Sequence, residues 1–183
     1  PPRSVNGPVI CIRKHRRKNL ELPDLIRLNM LDEPLADFLA GLANTDATVL
    51  FCGKGAAGKT TLLRSFIQAM PPLERVLIAE SDTELYPEKS CCMVQRIKKA
   101  HEGGRPVTLR DLVGDGLTMS LDTYCIGEIV GEEALEFIRA SFSGHRCLAT
   151  IHADCADDAL DRLLQLARPA AAGESDPAFK RML

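Results

Sequence analysis

A chain of 183 residues, 45% hydrophobic and 26% charged, is long enough to bury a sizeable core in one domain and has the composition of an ordinary globular protein. Its formal net charge of −2 gives no global pull toward nucleic acid or an anionic membrane. No long uninterrupted apolar stretch and no signal-peptide pattern is legible, so no direct membrane insertion is expected, and the expected compartment is the cytosol.

In chain order, residues 8–12 read as a short strand, followed by the basic run Arg13-Lys14-His15-Arg16-Arg17-Lys18. Such a run is either a solvated face or linker, or a contact for phosphate or an acidic surface. Residues 35–42 are apolar enough for a helix, and residues 47–52 form a partly β-branched run that reads as a buried strand. A glycine loop follows. Beyond it, Leu62, Leu63, Phe66 and Ile67 fall on one helical face, and Pro71-Pro72 stops that helix. Residues 75–80 give a second core strand. Residues 86–105 are polar and irregular, although residues 94–97 can pair along a sheet edge.

Thr108 with Asp111 three residues on forms a modified capping box, opening a helix that runs to about Met119. Residues 124–130 and 147–152 are two more core strands. Helices of residues 132–142 (Ala134, Leu135, Ile138, Phe142) and 157–167 (Leu160, Leu163, Leu164, Ala167) follow them. Strands alternating with helices predict an α/β fold, with a mostly parallel sheet and helices on both faces. The opening Pro1-Pro2 and the aperiodic residues 169–177 read as cuts or tails, so a piece of a longer protein is expected.

The most informative segment is Gly53-Lys54-Gly55-Ala56-Ala57-Gly58-Lys59-Thr60, which matches G-x-x-x-x-G-K-[ST]. Glycines let the backbone turn sharply and come close to a phosphate. Successive amide N–H groups make an anion nest at a helix N-terminus, where the helix dipole also favours negative charge. Lys59 can reach the β- and γ-phosphates of a nucleotide, and the Thr60 hydroxyl can hold Mg²⁺. The strand before the loop and the helix after it are the context this motif requires.

In open α/β sheets, ligands bind beyond the carboxyl ends of the strands. That rule selects Glu80, Glu128 and His152 beside the glycine loop. A strand-end carboxylate there suits a metal ligand or a group that orients water. Glu128 follows an apolar strand as a Walker B acid should, but Gly127 stands where the usual Asp would precede it. His152 is placed to sense a γ-phosphate. The seven cysteines include no C-x-x-C pair; Cys52, Cys125 and Cys147 lie in strands and read as buried thiols, and no structural metal is expected.

These motifs together resemble the secretion-superfamily ATPases of type II and type IV secretion and of type IV or Flp pilus assembly, most nearly the CpaF/TadA type. The likeness runs from about Val5 to Ala167. The Walker A segment is Gly53 to Thr61. Glu80-Ser81-Asp82-Thr83-Glu84-Leu85 resembles the family's aspartate box, Ile126-Gly127-Glu128 its atypical Walker B, and His145 through His152-Ala153 its histidine box. The resemblance implies a RecA-like motor domain over residues 21–168, preceded by the end of an N-terminal domain or linker (1–20) and followed by a tail (169–183).

The same resemblance implies an Mg²⁺-dependent ATPase in which Gly53, Gly55, Gly58, Lys59, Thr60 and Thr61 bind ATP and Arg13 adds a phosphate contact. Thr60 and Glu128 would hold the metal; Glu128, Glu80 and His152 would act in catalysis. It further implies a hexamer, peripheral at the inner face of the cell membrane, working on platform proteins there and not on nucleic acid. The chain departs from the family at Ser81, where Asp is usual, and at Gly114, Thr118, Ser120 and Val130, where Arg is frequent. Small neutral groups cannot replace a guanidinium. The departures motivate a second reading, a nucleotide-binding assembly or regulatory subunit with weak or no hydrolysis. A small-molecule P-loop kinase is a third, for which only residues 86–105 could supply a lid.

Overall fold

The computed structural model describes residue 12 and residues 19–171. Residues 8–11 of the expected first strand and the basic run, Arg13 included, lie outside the described residues. The described chain runs α1 (Leu22–Arg27), α2 (Glu33–Leu42), β1 (Val49–Gly53), α3 (Lys59–Ala69), β2 (Val76–Glu80) and β3 (Cys92–Arg96). A 3₁₀ turn (Ala100–Glu102) leads to α4 (Leu109–Gly116), β4 (Thr123–Ile129), α5 (Glu133–Phe142), β5 (Arg146–His152) and α6 (Ala156–Ala167).

Local chemistry accounts for most boundaries. Asp32 caps α2 by accepting the Leu35 amide at 3.0 Å, with Pro34 in the first turn where its missing N–H costs nothing. Thr108 and Asp111 form the expected reciprocal box, the Asp111 amide donating to Thr108 Oγ1 at 3.1 Å and the Thr108 amide to Asp111 Oδ2 at 2.8 Å. That helix ends at Gly116, short of Met119, because Leu117 already closes the turn onto Val113 and Asp115. Helix α1 was not expected, being too short for a 3.6-residue period to declare itself, yet it buries Leu22 and Leu25.

The five strands pair in the order β1-β5-β4-β2-β3, every pairing parallel. Strand residues alternate between two cores. Val76, Ile78, Cys125, Leu148 and Phe51 pack under α1, α2 and α3, whereas Leu77, Ala79, Tyr124, Ile126, Cys147 and Ala149 pack under α4, α5 and α6. Both faces are therefore covered, as the alternating pattern requires. β3 takes the expected edge position, starting two residues and ending one residue before the expected 94–97, and an isolated antiparallel bridge joins Lys98 to Val107 beyond it. Cys125 and Cys147 are buried thiols; Cys52, expected to be buried, is only half-buried because it lies on edge strand β1.

At the end of the sheet away from the glycine loop, Arg146 ties three strands to a helix end. It is 4% exposed, and its Nη1 donates to both Glu74 oxygens (3.1 and 3.3 Å) and to the Ala43 carbonyl (3.2 Å). Nη2 reaches the Leu42 carbonyl at 3.4 Å, and the guanidinium lies over the Phe66 ring at 5.6 Å. Thr123 at the start of β4 donates its hydroxyl to the same Glu74 carboxylate. The last carbonyls of α2 thus find donors they would otherwise lack. Removing one member leaves the other charge buried and unpaired, so Arg146→Ala or Glu74→Ala should each cost about 3–5 kcal/mol, and the double substitution less than their sum. Urea unfolding of the three variants measures both quantities.

Candidate functional site

The carboxyl ends of β1, β5, β4 and β2 bring the polar groups together. Gly53, the last residue of β1, pairs in register with His152, the last of β5. The loop then turns through Gly58, which is left-handed (φ +92°) and caps α3. A Cβ there would come within 2.6 Å of the Met30 methyl, so the connector between α1 and α2 packs against the loop, and the left-handed backbone itself favours glycine. A Cβ on Gly55 would lie 3.8 Å from His152 Cε1, so the histidine ring flanks the loop directly.

Lys59 opens α3, and its ammonium folds back to donate to the Gly53 and Lys54 carbonyls, each at 3.0 Å. It also lies 3.4 Å from His152 Nδ1, while His152 Nε2 is 2.9 Å from Glu128 Oε1. A lysine donating to Nδ1 and an Nε2–H donating to the carboxylate suit the neutral Nε2–H tautomer. The loop lysine, the end of β5 and the end of β4 are thereby joined in one line.

That line borders a cleft of about 490 Å³ lined by Gly55 through Thr61, Glu84, Glu128 and His152. A second cleft of about 230 Å³ shares Thr60, Glu84 and Glu128 with it and is closed by Glu80, Ser81, Asp82, Gly127 and Val130. The expected residues Gly55, Gly58, Lys59, Thr60, Thr61, Glu128 and His152 therefore meet at one cleft. Gly53 underlies the loop, its carbonyl holding Lys59. Arg13 lies outside the described residues.

Glu80 behaves differently from the other acids. It is 3% exposed, and its carboxylate turns away from the large cleft to accept the Glu84 amide at 3.1 Å and the Leu85 amide at 3.0 Å. It thus shapes the segment that brings Glu84 to the rim of both clefts. Sequence reading picked Glu80 by its strand-end position and passed over Glu84; the turn that swaps them becomes visible only through those two amide bonds.

Gly127, which stands where the usual Walker B aspartate would be, packs closely against β2. A Cβ there would stand 3.0 Å from Glu80 Cγ and 3.2 Å from its Oε1, so a larger residue would have to displace that buried carboxylate by a few tenths of an ångström. Glu133 steadies the far side of Glu128: its Oε1 accepts the Val130 and Gly131 amides at 2.6 and 2.8 Å, fixing the turn into α5.

A strand, a glycine loop and a helix, with an acid and a histidine at adjacent strand ends, form the structural context that the G-x-x-x-x-G-K-[ST] pattern requires in an α/β protein. The family model described as type II/IV secretion system protein matches residues 2–175, and the chain belongs to that family. A putative conjugal transfer protein of Mycobacterium tuberculosis (strain H37Rv) is 32% identical over 156 residues, 84% of this chain and 44% of that protein. The chain thus spans less than half the length of this relative.

Among solved structures, the VirB11 ATPase of the Brucella suis type IV secretion system, in complex with sulphate, matches with a TM-score of 0.69 at 22% identity, over 88% of this chain and 46% of that one. The pilus retraction motor PilT with bound ADP matches at 0.60 and 21% identity, over 84% and 43%. The fold is RecA-like, a parallel sheet with helices on both faces, as expected.

Burial pushes the Glu80 carboxyl up from its usual 4.5 to about 7, against the lowering effect of the Glu84 and Leu85 amide bonds. The folded protein therefore keeps a proton that the unfolded chain releases above about pH 4.5. Stability should fall as pH rises from about 4.5 to 7, by at most about 3 kcal/mol from this group. Glu80→Gln, which retains an acceptor for the amides, should flatten that part of the stability profile; chemical denaturation at pH 5, 6 and 7.5 provides the comparison.

Proposed function

We propose that the chain binds ATP at the glycine loop and hydrolyses it, forming the motor segment of a protein-secretion or pilus-assembly machine. The observation that supports this most is the line from Lys59 through His152 to Glu128, set along a cleft walled by the loop. Lys59 and the loop amides hold the β- and γ-phosphates, and Thr61 supports the α-phosphate side. Gly53, Gly55 and Gly58 let the backbone approach them, and Arg13 adds a phosphate contact.

Thr60 and Glu128 are hard oxygen donors, the set that suits Mg²⁺ bound mainly through substrate phosphates. Among the described residues no cluster of three or more His, Cys, Asp or Glu makes a self-sufficient metal cage, which fits that shared mode of binding. Mg²⁺ held there supplies charge neutralisation on the phosphates. Glu128 orients the attacking water, with Glu84 as a second acid at the cleft. Glu80 acts at one remove, by holding the turn that presents Glu84. His152, bonded to both Lys59 and Glu128, senses the γ-phosphate because any shift of the lysine onto phosphate alters its own contacts.

Further parts of this reading are drawn from the family. Residues 21–168 form the motor domain, with the end of a preceding domain or linker at 1–20 and a tail at 169–183. The motor works as a hexameric ring in the cytoplasm, peripheral at the inner face of the membrane, moving platform proteins of a CpaF/TadA-like system. Among the described residues no helix is long and apolar enough to cross a membrane, which is compatible with that placement.

One observation favours a second reading, nucleotide binding with weak or no turnover. Val130, 56% exposed at the rim of the second cleft, puts a small apolar group where the family resemblance leads one to expect arginine. Steady-state ATP hydrolysis and ATP binding by the purified chain separate the two. Hydrolysis is expected, with Lys59→Ala losing both binding and turnover and Glu128→Gln keeping binding while turnover falls by about 10²–10⁴-fold. Tight binding with no turnover in the unmutated protein selects the regulatory reading.

A further inference from the structure

The ladder between β4 and β5 is regular from Thr123 opposite Arg146 to Ile126 opposite Ala149, and then slips. The next partners are Ile129 and Ile151. Gly127 and Glu128 together therefore face the single residue Thr150. This is a β-bulge in a parallel pair, where bulges are rare, and it falls on the acid that lines the nucleotide cleft. A bulge disturbs the ladder locally and re-aims the side chains it carries.

Thr150 stabilises this one. Its hydroxyl is fully buried and donates to the Gly127 carbonyl at 2.7 Å. That carbonyl belongs to the peptide whose nitrogen is the amide of Glu128, and a peptide unit is planar, so one bond sets the orientation of the Glu128 backbone. Two residues further along β5, His152 holds the Glu128 carboxylate at 2.9 Å. One strand thus grips the acid twice, by its backbone through Thr150 and by its side chain through His152.

We infer that Thr150 is a positioning residue for Glu128: its buried hydroxyl holds the Gly127–Glu128 bulge in the form that directs the carboxylate into the glycine-loop cleft. The inference concerns the geometry of Glu128, and its consequence for rate rests on the hydrolytic role proposed above. Thr150→Val keeps the shape but removes the donor, so the buried Gly127 carbonyl loses its hydroxyl partner. Thr150→Ser keeps the donor.

The test compares both variants with the unmutated protein and with Glu128→Gln, at a temperature where all are fully folded by circular dichroism. With ATP and Mg²⁺, Thr150→Val should lower kcat by about 10–100-fold while KM changes by less than about threefold, and Thr150→Ser should recover kcat to within about threefold. In parallel, the assigned His152 ring resonance in Thr150→Val should move toward its position in Glu128→Gln and stay at the unmutated position in Thr150→Ser. A His152 resonance that does not move in Thr150→Val overturns the inference, as does an unchanged kcat in a folded, active protein. If the unmutated protein does not turn over ATP, the hydrolytic reading fails, and the resonance comparison alone decides the role of Thr150.

Discussion

A parallel sheet covered on both faces leaves its strands almost no place for polar side chains except at their ends. Here that constraint governs everything else. β2 is buried along its whole length and ends on Glu80; β4 is buried until it reaches Glu128; β5 is buried until His152, the first exposed residue of that strand. Because all strands point the same way, these three residues and the loop after β1 emerge along one edge of the sheet. The chemistry collects where burial stops.

The opposite edge follows the same logic with a different outcome. There Arg146, Thr123 and Glu74 are drawn into one charged knot with the carbonyls that end α2. A charge so deeply buried is tolerable only when it is paired and hydrogen-bonded, and both terminal nitrogens of Arg146 have partners while its Nε has none. One end of the sheet is closed by a buried ion-pair cluster, while the other leaves its polar groups bordering open clefts.

Much of this was legible in the sequence, for reasons that differ from residue to residue. The glycine loop and the Thr108–Asp111 box are local motifs whose partners lie within a few positions, so spacing alone reveals them. The core strands are legible because burial on both faces makes them continuously apolar. What escaped depends on pairing across the chain. α1 is too short to display a period. Glu84 reaches the clefts only because Glu80 binds the amides of its turn. Thr150 matters only because β4 is out of step with β5 by one residue at that point, and no reading of either strand alone contains that slip. Cys52 is half-buried because the strand order puts β1 at the edge, a property of the whole sheet.

The close approach of Glu80 to Gly127 joins two positions that are distant in the chain. A Cβ at 127 would stand 3.0 Å from Glu80 Cγ, so any side chain there must push the neighbouring carboxylate by a few tenths of an ångström. That carboxylate also anchors the amides of Glu84 and Leu85. The identity of residue 127 is therefore felt one strand away, in the turn that carries Glu84.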